Sequence, residues 1–374
     1  MIDEEIIKQF NIPGNLVNLK QQTNGNINKT YIATYNEDGL EKRYLIQQIN
    51  DNVFKNPYEL MSNIENVTKY IKKELDRQND TKHTTLKVIK TIDNQNLLVC
   101  ANENGVKEFY RAYNFIDNSI CYNTSEDEEV VRNTGKGFGN FQKMLNDYPM
   151  DGLVETIKDF HNTKKRFTKF EQSVENDTAK RAKNVEKEIK FIMDRKNLCS
   201  LIVDKLETKE IPVRVTHNDT KVNNVMMNKE TKDFLAVIDL DTVMPGSGLY
   251  DYGDGIRSAS SNASEEETDL SKVFIKNNLF ESYTDGYLSE VAPFMGEEEI
   301  KLMGPAIKIM TFELAIRFLD DYLNGDTYFK CNYENHNLDR ARNQMKLVED
   351  IENKMDYINN YILESYIKYK NWIV

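Results

Sequence analysis

Residues 215–241, VTHNDTKVNNVMMNKETKDFLAVIDLD, hold the side chains in this 374-residue chain whose types and spacing could do chemistry. His217-Asn218-Asp219 is followed, five residues after the aspartate, by Asn224. This is H-x-D-x-x-x-x-N, a spacing used for phosphoryl transfer. A second acidic pair, Asp239 and Asp241, ends the apolar run FLAVIDLD. NVMMN and FLAVIDL read as strands, and KETKD between them as a turn. Asn224 lies about seven residues before the turn centre and Asp239 about eight after it. An antiparallel hairpin then sets Asn224 and Asp239 side by side at its open end, with Asp219 in the loop leading in. Asn224 and Asp239 could hold Mg²⁺ against nucleotide phosphates, and Asp219 could take the proton of an attacking hydroxyl. Asp241 is a second metal ligand or the true one, with Asp239 favoured. The competing reading is a hairpin whose Asx residues merely cap turns.

The elements that must position these groups change character along the chain. The first ~110 residues read as β-rich with one helix. LVNLKQQT, TYIATY and KRYLIQQI look like strands, and Asp38-Gly39 marks a hairpin between the second and third. Asn56-Pro57-Tyr58-Glu59 opens a helix through roughly Glu74, with Leu60, Ile64, Val67 and Ile71 on one stripe. LKVIKTI and LLVC are two further strands, and KEFYRAYNFI is a fifth strand or a connector. From ~120 the period turns helical. SEDEEVVRNTGKGFGNFQKML, VETIKDFHNTKKRFTKF and NVEKEIKFIMDRKNL read as helices, as do 272–288, 298–323 and 338 to the end. The expected layout is α+β: a small β-rich lobe, residues 1–112, before a large helical lobe, residues 113–374.

Composition narrows the classes of function. Lysine plus arginine number 49 against 61 acidic residues, for a net charge of −12. Such a surface disfavours general nucleic-acid binding. Hydrophobic residues at 39%, with 17 Phe and 20 Tyr, exclude wholesale disorder. No apolar run approaches a membrane span, and MIDEEIIKQF is acidic where a signal peptide would be basic, so a cytoplasmic protein is expected. The four cysteines, Cys100, Cys121, Cys199 and Cys331, form no C-x-x-C pair and read as core thiols.

THNDTKVNNV, AVIDLDTVMPG, YDYGDGIRS, FELAIRFLDDYLNGDTYFK and HNLDRARNQMKLVEDIE together carry a resemblance, with YLIQQIN and FHNTKKRF before them. The chain resembles the aminoglycoside phosphotransferase/choline kinase superfamily, of protein-kinase-like fold, and within it is similar to the N-acetylhexosamine 1-kinases. The likeness covers nearly the whole chain. It implies that ATP binds between the lobes with Mg²⁺. It also implies that the γ-phosphoryl passes to the anomeric hydroxyl of N-acetylglucosamine or N-acetylgalactosamine. By motif match Asp219 is the base and Asn224 and Asp239 are metal ligands, while Asp251 and Asp254 brace the catalytic loop.

The resemblance also weights other residues. Thr23 to Thr30 lie where a kinase-like lobe keeps its phosphate-covering loop. Asn24, Gly25, Asn26, Ile27, Asn28 and Thr30 are candidates for phosphate contact, although no G-x-G-x-x-G is present and an ordinary hairpin loop is the alternative. Strand three carries Gln47 and Gln48 where such folds carry an ATP-contacting lysine, so Arg43, Lys29 or another cation must substitute. Glu65 on the following helix then lacks its usual partner and reads as part of a solvated face. Asn114, Phe115 and Ile116 fall at the lobe junction and are candidates to meet adenine. Gly135-Lys136-Gly137-Phe138-Gly139 lacks a preceding strand and reads as close helix packing. His161 and His336 read as structural, and His217 as a brace for its loop.

For the acceptor, Arg317 stands in the otherwise apolar run 309–323 and needs a partner or a ligand. Glu313, one turn earlier, is the plain partner. Arg317 and Tyr328 are the sugar candidates, with Arg257 and Lys221 behind them. The expected partner is a small molecule, with the chain a monomer or weak homodimer. Two rivals stand beside this reading. One is another acceptor within the superfamily, an amino alcohol or aminoglycoside, which would draw on carboxylates such as those at 265–267 and 320–321. The other is a pseudokinase that binds nucleotide without turnover.

Overall fold

The structure is a computed structural model and describes residues 2–22 and 27–371. After a short helix α1 (Glu4–Ile7) come β1 (Asn15–Gln22), β2 (Lys29–Glu37) and β3 (Leu40–Ile49). β2 and β3 meet at Asp38 and Gly39, whose φ angles of 52° and 89° give the two-residue turn that the Asp-Gly pair announces. Helix α2 (Pro57–Arg77) follows, with the Asn56 side chain accepting the Glu59 N–H at 3.3 Å and Pro57 at its first position. Then come β4 (Val88–Ile89), β5 (Leu98–Ala101) and β6 (Lys107–Asn114). The sheet order is β1-β2-β3-β6-β4, all antiparallel, with β5 also on β6. LKVIKTI therefore joins this sheet through Val88 and Ile89, with an isolated bridge from Thr91 to Phe10, and KEFYRAYN is the strand on which three others close. Residue 112 lies within it, two residues before its end.

The second part begins with β7 (Ser119–Ile120), α3 (Glu128–Met144) and α4 (Thr163–Asn176). Residues 154–161 are turns, so the helix expected over VETIKDFHNTKKRFTKF is only its second half. Asn162 stops it from reaching back: its side chain accepts the Lys165 N–H at 3.1 Å and caps α4. α5 (Glu186–Met193) and α6 (Leu201–Glu207) lead to β8 (Arg214–Thr216), the hairpin β9 (Val225–Asn228) and β10 (Phe234–Val237), and β11 (Met244–Gly246). Five helices follow among the described residues: α7 (Gly248–Ser260), α8 (Asn277–Val291), α9 (Glu297–Leu323), α10 (His336–Asn353) and α11 (Met355–Lys370). Among the described residues no helix is long and apolar enough to cross a membrane. The cysteines form no disulfide, but only Cys199 is buried; Cys121 is exposed and the other two are partly so.

Two packing features fix the site's frame. α2 is bound to the helical part by Asn63, whose amide donates to Val154 O at 2.7 Å and Val243 O at 3.0 Å and accepts from Val154 N at 3.0 Å. Three bonds from one buried amide leave it fully satisfied. α3 packs on α8 at its glycines, as the GKGFG run suggested. A Cβ on Gly135 would stand 2.2 Å from Tyr283 O, and one on Gly139 2.7 Å from Tyr287 O. Backbone cannot yield there as a side chain can. Gly135→Ala is therefore expected to cost about 1–3 kcal/mol or more by forcing the helices apart. Urea unfolding would show it, and an unchanged midpoint would contradict the packing.

Candidate active site

The hairpin β9–β10 pairs Val225 with Val237 and Met227 with Phe234, and Ile238 N donates to Asn224 O at 2.9 Å. Asn224 and Asp239 thus stand one register step apart at the open end. Asp219 joins them from the loop after β8: Asn224 Nδ2 donates to Asp219 O at 2.8 Å and to its Oδ2 at 3.2 Å. Lys221 Nζ sits 2.8 Å from Asp219 Oδ1.

The loop is held from below. His217 Nε2 donates to Ile238 O at 2.9 Å, which leaves Nδ1 to accept Asp219 N–H at 3.2 Å. Asp251 on α7 accepts the N–H groups of His217 at 2.9 Å and Asn218 at 2.8 Å, and Gln142 Nε2 at 2.8 Å. Burial pushes this carboxyl above its usual range, and those bonds with His217 work against the rise. Asp254 accepts Thr220 N–H at 3.3 Å. Both carboxylates of YDYGD therefore brace the loop, with His217 between loop and hairpin.

A cleft of about 360 Å³ opens between this loop and the sheet. Asp219, Lys221, Asn224, Asp239 and Asp241 form its lower wall. Ile27, Asn28, Thr30 and Gln47 line it from the sheet, and Asn114, Phe115 and Ile116 from the junction after β6. Asn24, Gly25 and Asn26 lie outside the described residues. Arg257, Arg317 and Tyr328 do not line this cleft.

The cation of the cleft comes from β6 and is neither Arg43 nor Lys29 but another residue. Arg111 on β6 is 2% exposed, and its guanidinium grips both carboxylate oxygens of Asp241, Nη2 at 2.9 Å from Oδ2. Arg43 is engaged by Asp117 and stacks on Phe115 at 4.0 Å, and Lys29 is exposed. Glu65 is a correction too. It is buried, and Lys69 Nζ at 2.7 Å, Lys90 Nζ at 2.5 Å and Asn96 Nδ2 at 2.9 Å surround it. Lys90 at the end of β4 takes the place of the absent strand-three lysine as its partner. A signal for Arg111 was present: an arginine inside the apolar alternation FYRAYNF requires a buried partner, the argument applied to Arg317.

Asp239 asks for more positive charge. Burial first, then Asp241 and Asp219, push its carboxyl up to about 6. Among the described residues no three His, Cys, Asp or Glu side chains close into a metal cage. An open site of this kind, with one carboxylate and one amide oxygen, suits a cation that takes its remaining ligands from phosphates and water. Asp239 and Asn224 fit that task. Asp241 is already held by Arg111 and by Asn28, whose Nδ2 donates to Oδ2 at 2.7 Å.

Beyond Asp219 a polar seam runs into the helical part. Arg257 is spent on Asp254, at 2.7 Å and 2.9 Å, and on Glu265 at 2.5 Å. Glu313 does not pair with Arg317. Its Oε1 meets His161 Nδ1 at 2.8 Å and Arg166 Nε at 3.2 Å, and its Oε2 accepts from Thr163 at 3.0 Å. Arg317 lies against the rings of Phe160 and Phe329, 5.9 and 5.5 Å from their centroids, and makes no hydrogen bond or ion pair among the described residues. Tyr328 is 71% exposed in a loop that Asp321 organises by accepting the N–H groups of Thr327, Tyr328 and Phe329, each at 2.9 Å.

Comparison with known proteins accords with this geometry. Residues 20–274 match the model of the phosphotransferase enzyme family, APH. A microcompartment-associated aminopropanol kinase superposes with a TM-score of 0.59 at 14% identity, over 96% of this chain and 99% of its own. The amicoumacin kinase hAmiN, in complex with AMP-PNP, Ca²⁺ and Ami, gives 0.58 at 12% identity, over 94% of each chain. Choline kinase from Cryptosporidium parvum Iowa II gives 0.54 at 15% identity, over 96% and 100%. At these identities the likeness establishes the kinase-like fold. The match over residues 20–274 goes further, and with it the chain belongs to the phosphotransferase enzyme family.

Proposed function

We propose that the protein is an ATP-dependent, Mg²⁺-assisted kinase of N-acetylhexosamines that phosphorylates their anomeric C1 hydroxyl. The observation that carries the acceptor is Arg317. A half-buried guanidinium with no anion on it, and Arg166 nearby on the same side of Glu313, repels an ammonium group. It is a pure donor, suited to the hydroxyl and acetamide oxygens of a neutral sugar. The carboxylates that a cationic acceptor would use are engaged elsewhere. Glu265 pairs with Arg257, Glu266 with Arg340 and His336, Asp320 with Lys169, and Asp321 caps its own loop. Tyr328, in the loop that Asp321 holds, would cover the sugar face. Arg257 acts by fixing Asp254.

The chemistry needs little from the chain beyond placement and one proton acceptor. ATP lies in the cleft, with Asn114, Phe115 and Ile116 against the base and Ile27, Asn28 and Thr30 beside the phosphates. Mg²⁺, held by Asp239 and Asn224, would neutralise charge on the β- and γ-phosphates. Asp219 Oδ accepts the proton as the sugar oxygen attacks the γ-phosphorus. The bond to the β-bridging oxygen breaks, and ADP leaves. Lys221, 2.8 Å from Asp219, carries positive charge to the transferred group. Burial alone would lower its ammonium pKa, but Asp219 and Asp254 outweigh burial and raise it.

ADP release with Mg-ATP tests this against N-acetylglucosamine, N-acetylgalactosamine, glucose and galactose, with choline and kanamycin as controls. Turnover confined to the acetamido sugars, with loss of the product's reducing end, is expected. Turnover on choline or kanamycin alone would move the acceptor to a cationic alcohol. Nucleotide binding without turnover on any of them would favour a binding protein.

A further inference from the structure

Arg111 is Gln47's direct cross-strand partner, β6 against β3. Its Nε donates to Gln47 Oε1 at 2.9 Å, and Gln47 Nε2 donates to Thr30 Oγ1 at 3.0 Å. Its two terminal nitrogens clamp Asp241, which also accepts from Asn28. Asn28 in turn accepts Asn50 N–H at 3.0 Å. One guanidinium therefore ties the start of β2, strand β3 and the segment after β10 into a single network. Two residues before Asp241, Asp239 holds φ 59° and ψ 58°, a left-handed conformation uncommon outside glycine, which Asp tolerates better than most residues and which its neighbours hold in place here. On one side it is pinned by Ile238, whose N–H and C=O are both taken. On the other side Thr242 bonds His217 O at 2.7 Å, and Arg111 takes Asp241. Of these anchors only the Arg111–Asp241 clamp, with Asn28, reaches across from the sheet.

We propose that Arg111 is a positioning residue for phosphoryl transfer. Acting through Asp241, it fixes the left-handed turn that aims Asp239 and couples that turn to Asn28 and the start of β2. The positive charge that strand three lacks thus enters from β6, and Asp241 serves as its anchor rather than as a metal ligand. This rests on reading Asp239 as a ligand of the Mg²⁺ that accompanies ATP, and not on which acceptor is used.

The test uses two variants of the full chain. Arg111→Lys keeps the charge and loses the two-pronged grip. The double variant Arg111→Gln/Asp241→Asn replaces the buried ion pair with a neutral hydrogen-bonded one and so removes the unpaired charge that would unfold a single replacement. Calorimetry measures ATP binding with and without Mg²⁺, and melting confirms the fold. Both variants should lose about 10–100-fold in the Mg²⁺-dependent gain in affinity, measured relative to each variant's own metal-free ATP binding, the range for partners that orient a metal ligand. In turnover kcat should fall with the acceptor KM unchanged. A double variant that melts like wild type and keeps the full Mg²⁺ gain overturns the proposal. Should neither variant fold, Asn28→Ala reads the same coupling, and an unchanged Mg²⁺ gain there overturns it equally. A wild type that gains affinity with Mg²⁺ but phosphorylates no sugar would defeat the acceptor assignment alone. A wild type whose ATP binding ignores Mg²⁺ would defeat the metal-site reading on which Arg111's role depends.

Discussion

Asp219→Asn is expected to lower turnover by about 10²–10⁴-fold, the usual contribution of a positioned proton acceptor. The amide cannot take the hydroxyl proton, while almost everything else at the position survives. Asn224 Nδ2 can still donate to the remaining oxygen, as it does to Oδ2 at 3.2 Å, and its 2.8 Å bond to the Asp219 backbone carbonyl is untouched. The side chain is 28% exposed, so its solvation changes little. His217 and Asp251 continue to hold the loop through backbone atoms. The loss should therefore fall on kcat, with the melting temperature and the affinity for Mg-ATP close to wild type. Lys221 loses its anionic partner, so a modest change in acceptor KM is the expected side effect. A variant that turns over within threefold of wild type would remove Asp219 from the reaction and with it the assignment of the whole loop.

The largest effect on stability is expected at Glu313. Burial by itself would raise its carboxyl, but His161, Arg166 and Arg317 outweigh burial and hold it down at about 2. A carboxylate whose folded pKa lies below its unfolded one stabilises the fold at all pH above the unfolded value. That contribution is lost as pH falls from about 4.5, the ordinary value, toward about 2. Glu313→Gln leaves Arg166 without its buried anion and should cost about 3–5 kcal/mol near neutral pH, the range for breaking a buried pair on one side. The gap between wild type and variant should then narrow steadily as pH falls below 4.5, because the unfolded wild-type chain protonates Glu313 there while the folded chain does not. Urea unfolding at pH 7 and pH 3 measures both. A gap that stays constant would mean that Glu313 holds this corner by shape and not by charge.

The two regions differ in how far they could be read in advance. Residues 215–241 carry their geometry locally. A tight hairpin sets Asn224 near Asp239 through chain connectivity alone, and the His-x-Asp loop sits five residues away, so spacing was a sufficient guide. The Asp-Gly hairpin and the Asn-Pro-x-Glu helix start are likewise local, because turn and cap preferences act within four residues. The GKGFG run was also legible as packing: Gly135 and Gly139, four residues apart, admit a second backbone, and α8 is that backbone.

Side-chain partners drawn from distant segments were not legible. Glu65 looked like a surface residue because two of its three partners, Lys90 and Asn96, come from the segments around β4 and β5 and not from its own helix. Glu313 looked like the partner of Arg317 by helical spacing, yet His161 and Arg166 took it, and both arrive from the turn and helix before Phe167. Arg111 went unweighed because the pair it forms spans 130 residues of chain.

The type and order of the chemical groups, and the hairpin and loop that gather Asp219, Asn224 and Asp239, were determined by the sequence alone, since short-range turn chemistry and strand periodicity are enough to set them. The tertiary structure decided which charge answers which. It put Arg111 on Asp241, Lys90 on Glu65 and Arg166 on Glu313, and left Arg317 against the rings of Phe160 and Phe329. The physical reason is that a buried charge is settled by whichever opposite charge the packing brings within reach, and that distance is a property of the folded chain.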